Sequence, residues 1–218
     1  MNLKLLQLVS PSLPVGAFSY SQGLEAAIDA GIVHDAATTR DWIGDVLRLS
    51  FGTMEGPVLL RLVAAWQAGD AARARHWNDF FLATREAAEL RAETVQMGYS
   101  LRRLLRDLAV EATPLDAFES LAWPTAFAFA VAAWEIEAQE ALEAYAFAWI
   151  ENQVLAALKA VPLGQTDGQR LVLGLAEEAR RVAAAAARLD DAELGNFVPG
   201  LSILASRHET QYSRLFRS

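Results

Sequence analysis

Residues able to act as acids, bases, nucleophiles or metal ligands are few in this chain, and their spacing argues against most catalytic classes. The three histidines are His34, His76 and His208, and none has a glutamate three residues before it, where Gly31, Arg73 and Ala205 stand instead. That pattern disfavours a carboxylate-bridged dimetal bundle, which needs Glu-x-x-His pairs on facing helices. His208-Glu209 resembles the start of a zinc-protease motif, but Tyr212 occupies the place of the second histidine. Glu135, Glu137, Glu140 and Glu143 form an acidic cluster. Paired carboxylates can perform acid–base catalysis where a cleft separates their pKa values, and a metal-dependent helical-bundle enzyme is the alternative reading on that ground. At a helix boundary such residues are far more often solvated caps. The two lysines, Lys4 and Lys159, each follow a leucine, so no Gly-Lys-Ser/Thr phosphate loop exists and GTP hydrolysis by this chain is not expected. There is no Gly-x-Ser-x-Gly elbow, and with no cysteine there is no disulfide, thiolate metal site or cysteine nucleophile. The expectation is a protein with no catalytic residues, no resident metal and no cofactor.

The elements that carry these residues read as all-α. Ala, Leu, Arg and Glu dominate between turn signals, and no stretch alternates β-branched and polar residues. A chain of 218 residues builds its own core, and residues 1–218 are expected to form a single-domain bundle of about ten helices. Gly31 closes the first clear helix, and Thr38 or Thr39 is expected to cap the next. Pro57 suits the first turn of a helix over 55–68, Gly69-Asp70 ends it and caps its successor, and Thr113-Pro114 and Trp123-Pro124 mark further starts. From Arg85 to Leu108 runs a charged helix whose Glu89/Glu93 and Arg102/Arg106 pairs are like-charged at i,i+4. Each such pair is unfavourable by about 0.2 to 0.5 kcal/mol, so packing must sustain the helix. Thr125 to Ala133 is small and aromatic on nearly every face, as a helix buried at the centre of the bundle must be. Long helices over 142–161 and from Thr166 to the alanine run at 183–187 follow, joined by Pro162-Leu163-Gly164, where Gly164 is expected at positive φ.

The formal net charge of −8 opposes attachment to nucleic acid or anionic membranes. The longest apolar run, Leu121 to Trp134, is broken by Pro124 and too short for a span, and the first nine residues lack a signal-peptide core. A cytoplasmic protein is expected.

Three segments carry more information than helix construction requires. Ser10-Pro-Ser-Leu-Pro-Val-Gly-Ala-Phe-Ser-Tyr-Ser-Gln-Gly-Leu-Glu25 is a rigid lead into a helix. Pro162-Leu-Gly-Gln-Thr-Asp-Gly-Gln169 is a tight junction with two glutamines about the turn. His208-Glu-Thr-Gln-Tyr-Ser-Arg-Leu-Phe-Arg-Ser218 mixes Tyr212, Leu215 and Phe216 with Arg214 and Arg217, the composition of an interface hot spot. Together and in this order the three segments resemble the hallmarks of the UreF family of urease accessory proteins. Ala160 departs from that resemblance, standing where a bulkier aliphatic residue is usual. The resemblance implies an all-α homodimer without enzymatic activity, a chaperone in nickel delivery that binds UreD (UreH in some organisms) and recruits the GTPase UreG to apo-urease. It further implies partner-binding roles at both ends of the chain. Ser19, Tyr20, Gly23 and Glu25 would belong to a surface for UreG or the dimer; His208, Glu209, Tyr212, Arg214, Leu215, Phe216 and Arg217 would lie in an interaction tail, residues 208–218, that orders against UreD. Because the core of the bundle lies upstream, the fold is expected to survive without the tail; a tail that docks on its own domain is the alternative reading of the same composition.

Overall fold

A computed structural model describes residues 2–218. The helices are α1 (Leu3–Leu8), α2 (Leu24–Asp29), α3 (Ala36–Val46), α4 (Gly56–Gln67), α5 (Ala71–Ala83), α6 (Ala88–Asp107), α7 (Trp123–Ala133), α8 (Ala138–Ala160), α9 (Gln165–Ala186) and α10 (Pro199–His208), with no strand among the described residues. The expected hub is α7, in which every residue from Pro124 to Val131 is buried. It lies against α4 and α6, because a helix of alanine and phenylalanine has no face that water stabilises. Trp66 meets Phe129 edge-on at 5.2 Å and Phe127 meets Tyr145 at 4.7 Å, joining α7 to α4 and α8. A second, smaller apolar cluster gathers Leu24, Ala27, Val33, Val161, Leu204 and Phe216.

Several boundaries differ from the sequence expectation, each for a local reason. Asp35, not Thr38 or Thr39, caps α3: its carboxylate accepts from Thr38 N–H at 2.8 Å while the Thr38 hydroxyl accepts from Asp35 N–H at 3.1 Å. Pro57 stands in the first turn of α4, as expected, but that start is not a free helix end. A π-helical stretch (Leu47–Glu55) runs from α3 straight into α4, with Gly56 N–H reaching Phe51 O five residues back. The Thr53 carbonyl that Pro57 cannot serve takes Gly195 N–H instead, at 3.2 Å. Thr113-Pro114 opens only a five-residue 3₁₀ turn. The long charged helix begins at Ala88 rather than Arg85, and α8 begins four residues early because Glu137 caps it, accepting from Gln139 and Glu140 N–H at 2.9 and 2.6 Å. The acidic cluster is thus a cap in part. Gly164 has φ −77°, an ordinary value, so the positive φ expected there is wrong. Gln165 and Gln169 are exposed and need no buried partners.

Candidate partner-binding site

The two end segments of the chain, about 190 residues apart, meet on one side of the bundle. The N-terminal segment turns into α2 through Gln22 at φ 55° and Gly23 at φ 83°, consecutive left-handed residues. That conformation is uncommon for glutamine, and its side chain is held between two elements. Trp149 Nε1–H donates to Gln22 Oε1 at 2.6 Å, and Gln22 Nε2–H donates to Glu93 Oε1 at 2.5 Å. At Gly23 an added Cβ would also press on Leu201 of α10, 3.0 Å away.

Glu25, in the first turn of α2 and 6 % exposed, holds the tail. Its carboxylate accepts from the backbone N–H of Leu215 at 2.6 Å and of Phe216 at 3.0 Å. Arg217 N–H donates to Ser19 O at 2.8 Å, and Ser21 N–H donates to the backbone oxygen of Ser218 at 2.9 Å. From α6, Glu89 accepts from Arg214 at 2.7 Å and Glu93 accepts from the Ser218 hydroxyl at 2.8 Å. Glu209 reaches back to accept from Ala88 N–H at 2.7 Å, satisfying an unpaired donor at the start of α6. His208, with no exposed surface, stands between the two helices: Nε2 is 3.0 Å from Glu25 Oε2 and Nδ1 is 2.6 Å from Glu89 Oε2. Phe216 closes the assembly by entering the cluster of Leu24, Val33 and Val161, with Lys159 Nζ 5.3 Å from its ring centre.

The tail is therefore a clasp across α2 and α6, docked on its own domain with His208 and Phe216 buried. A carboxylate on α2 faces two backbone N–H groups of the tail, so docking satisfies both sides. Tyr20, Gly23, Glu25, His208 and Phe216 are buried and Ser19 is half-buried, so the first five do not offer their side chains to a partner while the clasp is closed. Glu209, Tyr212, Arg214, Leu215 and Arg217 are exposed; Tyr212 is wholly exposed and Leu215 is 68 % exposed. Sequence reasoning missed Ser21, Gln22, Glu89, Glu93 and Ser218. One signal was available: a like-charge Glu89/Glu93 pair in a helix is tolerated when each carboxylate has its own outside partner.

A family model described as UreF matches residues 33–176. The urease accessory protein UreF of Azoarcus sp. (strain BH72) is 55 % identical over 222 residues, covering 99 % of this chain and 95 % of that protein. That of Methylobacillus flagellatus is 52 % identical over 220 residues, covering 99 % and 97 %. This chain belongs to the UreF family. Both end segments fall outside the span of the family model but inside the full-length alignments. In this UreF-family chain they form one structural unit with α6, which lies within that span.

The same unit contains a buried titrating group. Glu93 is 4 % exposed, and burial pushes its carboxyl up to about 7, with its hydrogen bonds from Gln22 and Ser218 only partly opposing the shift. The native state thus favours the protonated acid. Its contribution to stability is complete below the unfolded value of 4.5 and is lost as the pH rises through about 7, a difference on the order of 3 kcal/mol. Glu93→Gln keeps an acceptor for Gln22 and offers a donor to Ser218. It is expected to melt at a higher temperature than the parent at pH 8 and to lose that advantage at pH 5. Equal melting at both pH values would contradict the assignment.

Proposed function

We propose that this chain is a urease accessory protein, a non-enzymatic adaptor that bridges UreD (UreH) and the GTPase UreG, works as a homodimer in the cytoplasm, and assists delivery of nickel to apo-urease. Full-length relatives at about half identity carry the urease accessory name. The observation that carries the adaptor reading is the outer face of the clasp. Tyr212, Arg214, Leu215 and Arg217 are exposed while their neighbours His208, Phe216 and Ser218 are buried. An aromatic, an aliphatic and two arginines are thereby held on an ordered platform, an arrangement that lowers the entropy cost of binding. Nickel enters as cargo of the assembly. Among the described residues no group of three or more His, Cys, Asp or Glu is arranged to hold a metal ion, and no helix is long and apolar enough to cross a membrane.

Bridging is tested by capture on tagged UreD. UreG is expected to be retained only when this chain is added, and retention of UreG to the same extent without it would contradict the adaptor role.

A further inference from the structure

A cavity of about 80 Å³ lies between α6, α7 and α8, bordered by Ala17 and Gln22 of the N-terminal segment. No residue of α10 or of the tail contributes to its walls. Five aromatic rings do: Phe81, Trp123, Phe127, Tyr145 and Trp149. Phe127 meets Tyr145 edge-on and Trp123 stacks on Tyr145 at 6.2 Å, so these three hold one another in place. The faces of such rings attract cations, and one already does so: the guanidinium of Arg85 lies 4.2 Å from the Phe81 ring centre.

The polar groups open to this space are acceptors. Arg85 is matched by Glu55, 3.6 Å away, which in turn accepts from the Tyr145 hydroxyl at 2.5 Å. Arg85 Nε and Nη2 are sealed and offer the cavity no donor. Among the described residues Glu93 has no ion-pair partner, Arg85 acting on it only at longer range. Its two oxygens accept from Gln22 and Ser218, and each retains a further lone pair. Thr94 stands in the same wall, as does Asn152, whose Nδ2–H donates to Tyr20 O at 3.2 Å and leaves Oδ1 as an acceptor. Among the described residues no three His, Cys, Asp or Glu gather as metal ligands, and aromatic walls with a single unmatched carboxylate suit an organic cation better than a metal ion.

We propose that this cavity binds a small organic ammonium ion, its charge and alkyl group against the aromatic walls and its N–H donors on Glu93, Thr94 and Asn152. The function is separate from bridging and needs no partner. The way in is a neighbouring groove that shares Leu8, Ala17, Trp123, Ala148 and Asn152 with the cavity and carries a further carboxylate, Glu151. The formal net charge of −8 raises the local concentration of such cations.

The test uses the full chain at pH 8, where Glu93, raised by burial to about 7, is ionised. Methylammonium chloride is titrated at constant ionic strength while the indole N–H resonance of Trp149 is followed by NMR, with that of Trp42, which does not line the cavity, as the control. A saturable shift of Trp149 with a midpoint on the order of 10 mM is expected, the strength open to so small a ligand, and none at Trp42. Methanol, of the same shape without the charge, and sodium chloride are expected to give no saturable shift. Glu93→Gln, which is expected to fold well at this pH, should weaken binding about tenfold or more. Phe127→Leu removes a ring and no charge, and should weaken it about threefold. No saturable shift in the parent, an equal response to methanol or sodium, full-strength binding in either variant, or a tighter saturable shift with nickel chloride would each overturn the proposal.

Discussion

Gly98→Ala is expected to destabilise the fold by about 3 kcal/mol or more, at the upper end of the overpacking range, which for a chain of this size is a drop of roughly 6 to 12 °C in melting temperature. A Cβ at that position would lie 2.1 Å from Leu121 O, 2.9 Å from Leu121 C and 3.0 Å from Ala122 C, all backbone atoms. The obstructing strand of chain cannot retreat. Ala122 N–H donates to Asn78 Oδ1 at 2.9 Å, Asn78 Nδ2–H donates to Ser120 O at 2.9 Å, and Trp123 N–H donates to Thr94 Oγ1 at 3.0 Å. Relief requires α6 to move off the entry to α7, and α6 carries Glu89 and Glu93 to the clasp. Differential scanning calorimetry checks the result. A melting temperature within a degree of the parent would show that the approach of α6 to this segment is looser than described.

Deletion of residues 208–218 is expected to be the most damaging change to the clasp, costing about 4 kcal/mol or more, a large part of the stability of an ordinary domain. Losing the burial of Phe216 accounts for about 1.5 to 3 kcal/mol. The rest comes from what remains behind: Glu25 loses two backbone donors and His208, and Glu93 loses Ser218, leaving carboxylates whose partners were built into the tail. Ala88 N–H also loses Glu209. Partial loss of structure around α2 and α10 on truncation, seen as a lower and broader melting transition, is the expected result. Unchanged melting would restore the tail to the status of a dispensable arm.

Composition and helical periodicity were enough to identify the all-α class and the buried α7, because a segment apolar on every face has only one stable place in a water-soluble bundle. The turn at Gly69-Asp70 was equally legible, with Asp70 accepting from Arg73 N–H at 2.9 Å. Boundaries that depend on tertiary contacts were not. The continuous passage through Pro57 exists because Gly195, distant in sequence, supplies the missing donor. Both end segments stood out as spelling, yet their meeting did not, since nothing local ties Glu25 to the backbone of Leu215 and Phe216. The tail looked like an interface because aromatics and arginines served there, and the structure divides that one composition between two tasks. His208 and Phe216 point inward, whereas Tyr212 and Leu215 face solvent.

The central claim, that the closed clasp displays the partner surface, is tested most directly by Tyr212→Ala with Leu215→Ala, measured by capture on UreD beside thermal melting of the same preparation. Both side chains are exposed, so melting is expected to stay within about 0.5 kcal/mol of the parent per substitution. Each is placed as a binding anchor, so affinity for UreD is expected to fall by roughly 30-fold or more, about 2 kcal/mol. Unchanged melting with lost capture is the predicted result; unchanged melting with full capture would contradict the claim and place the UreD surface elsewhere on the molecule.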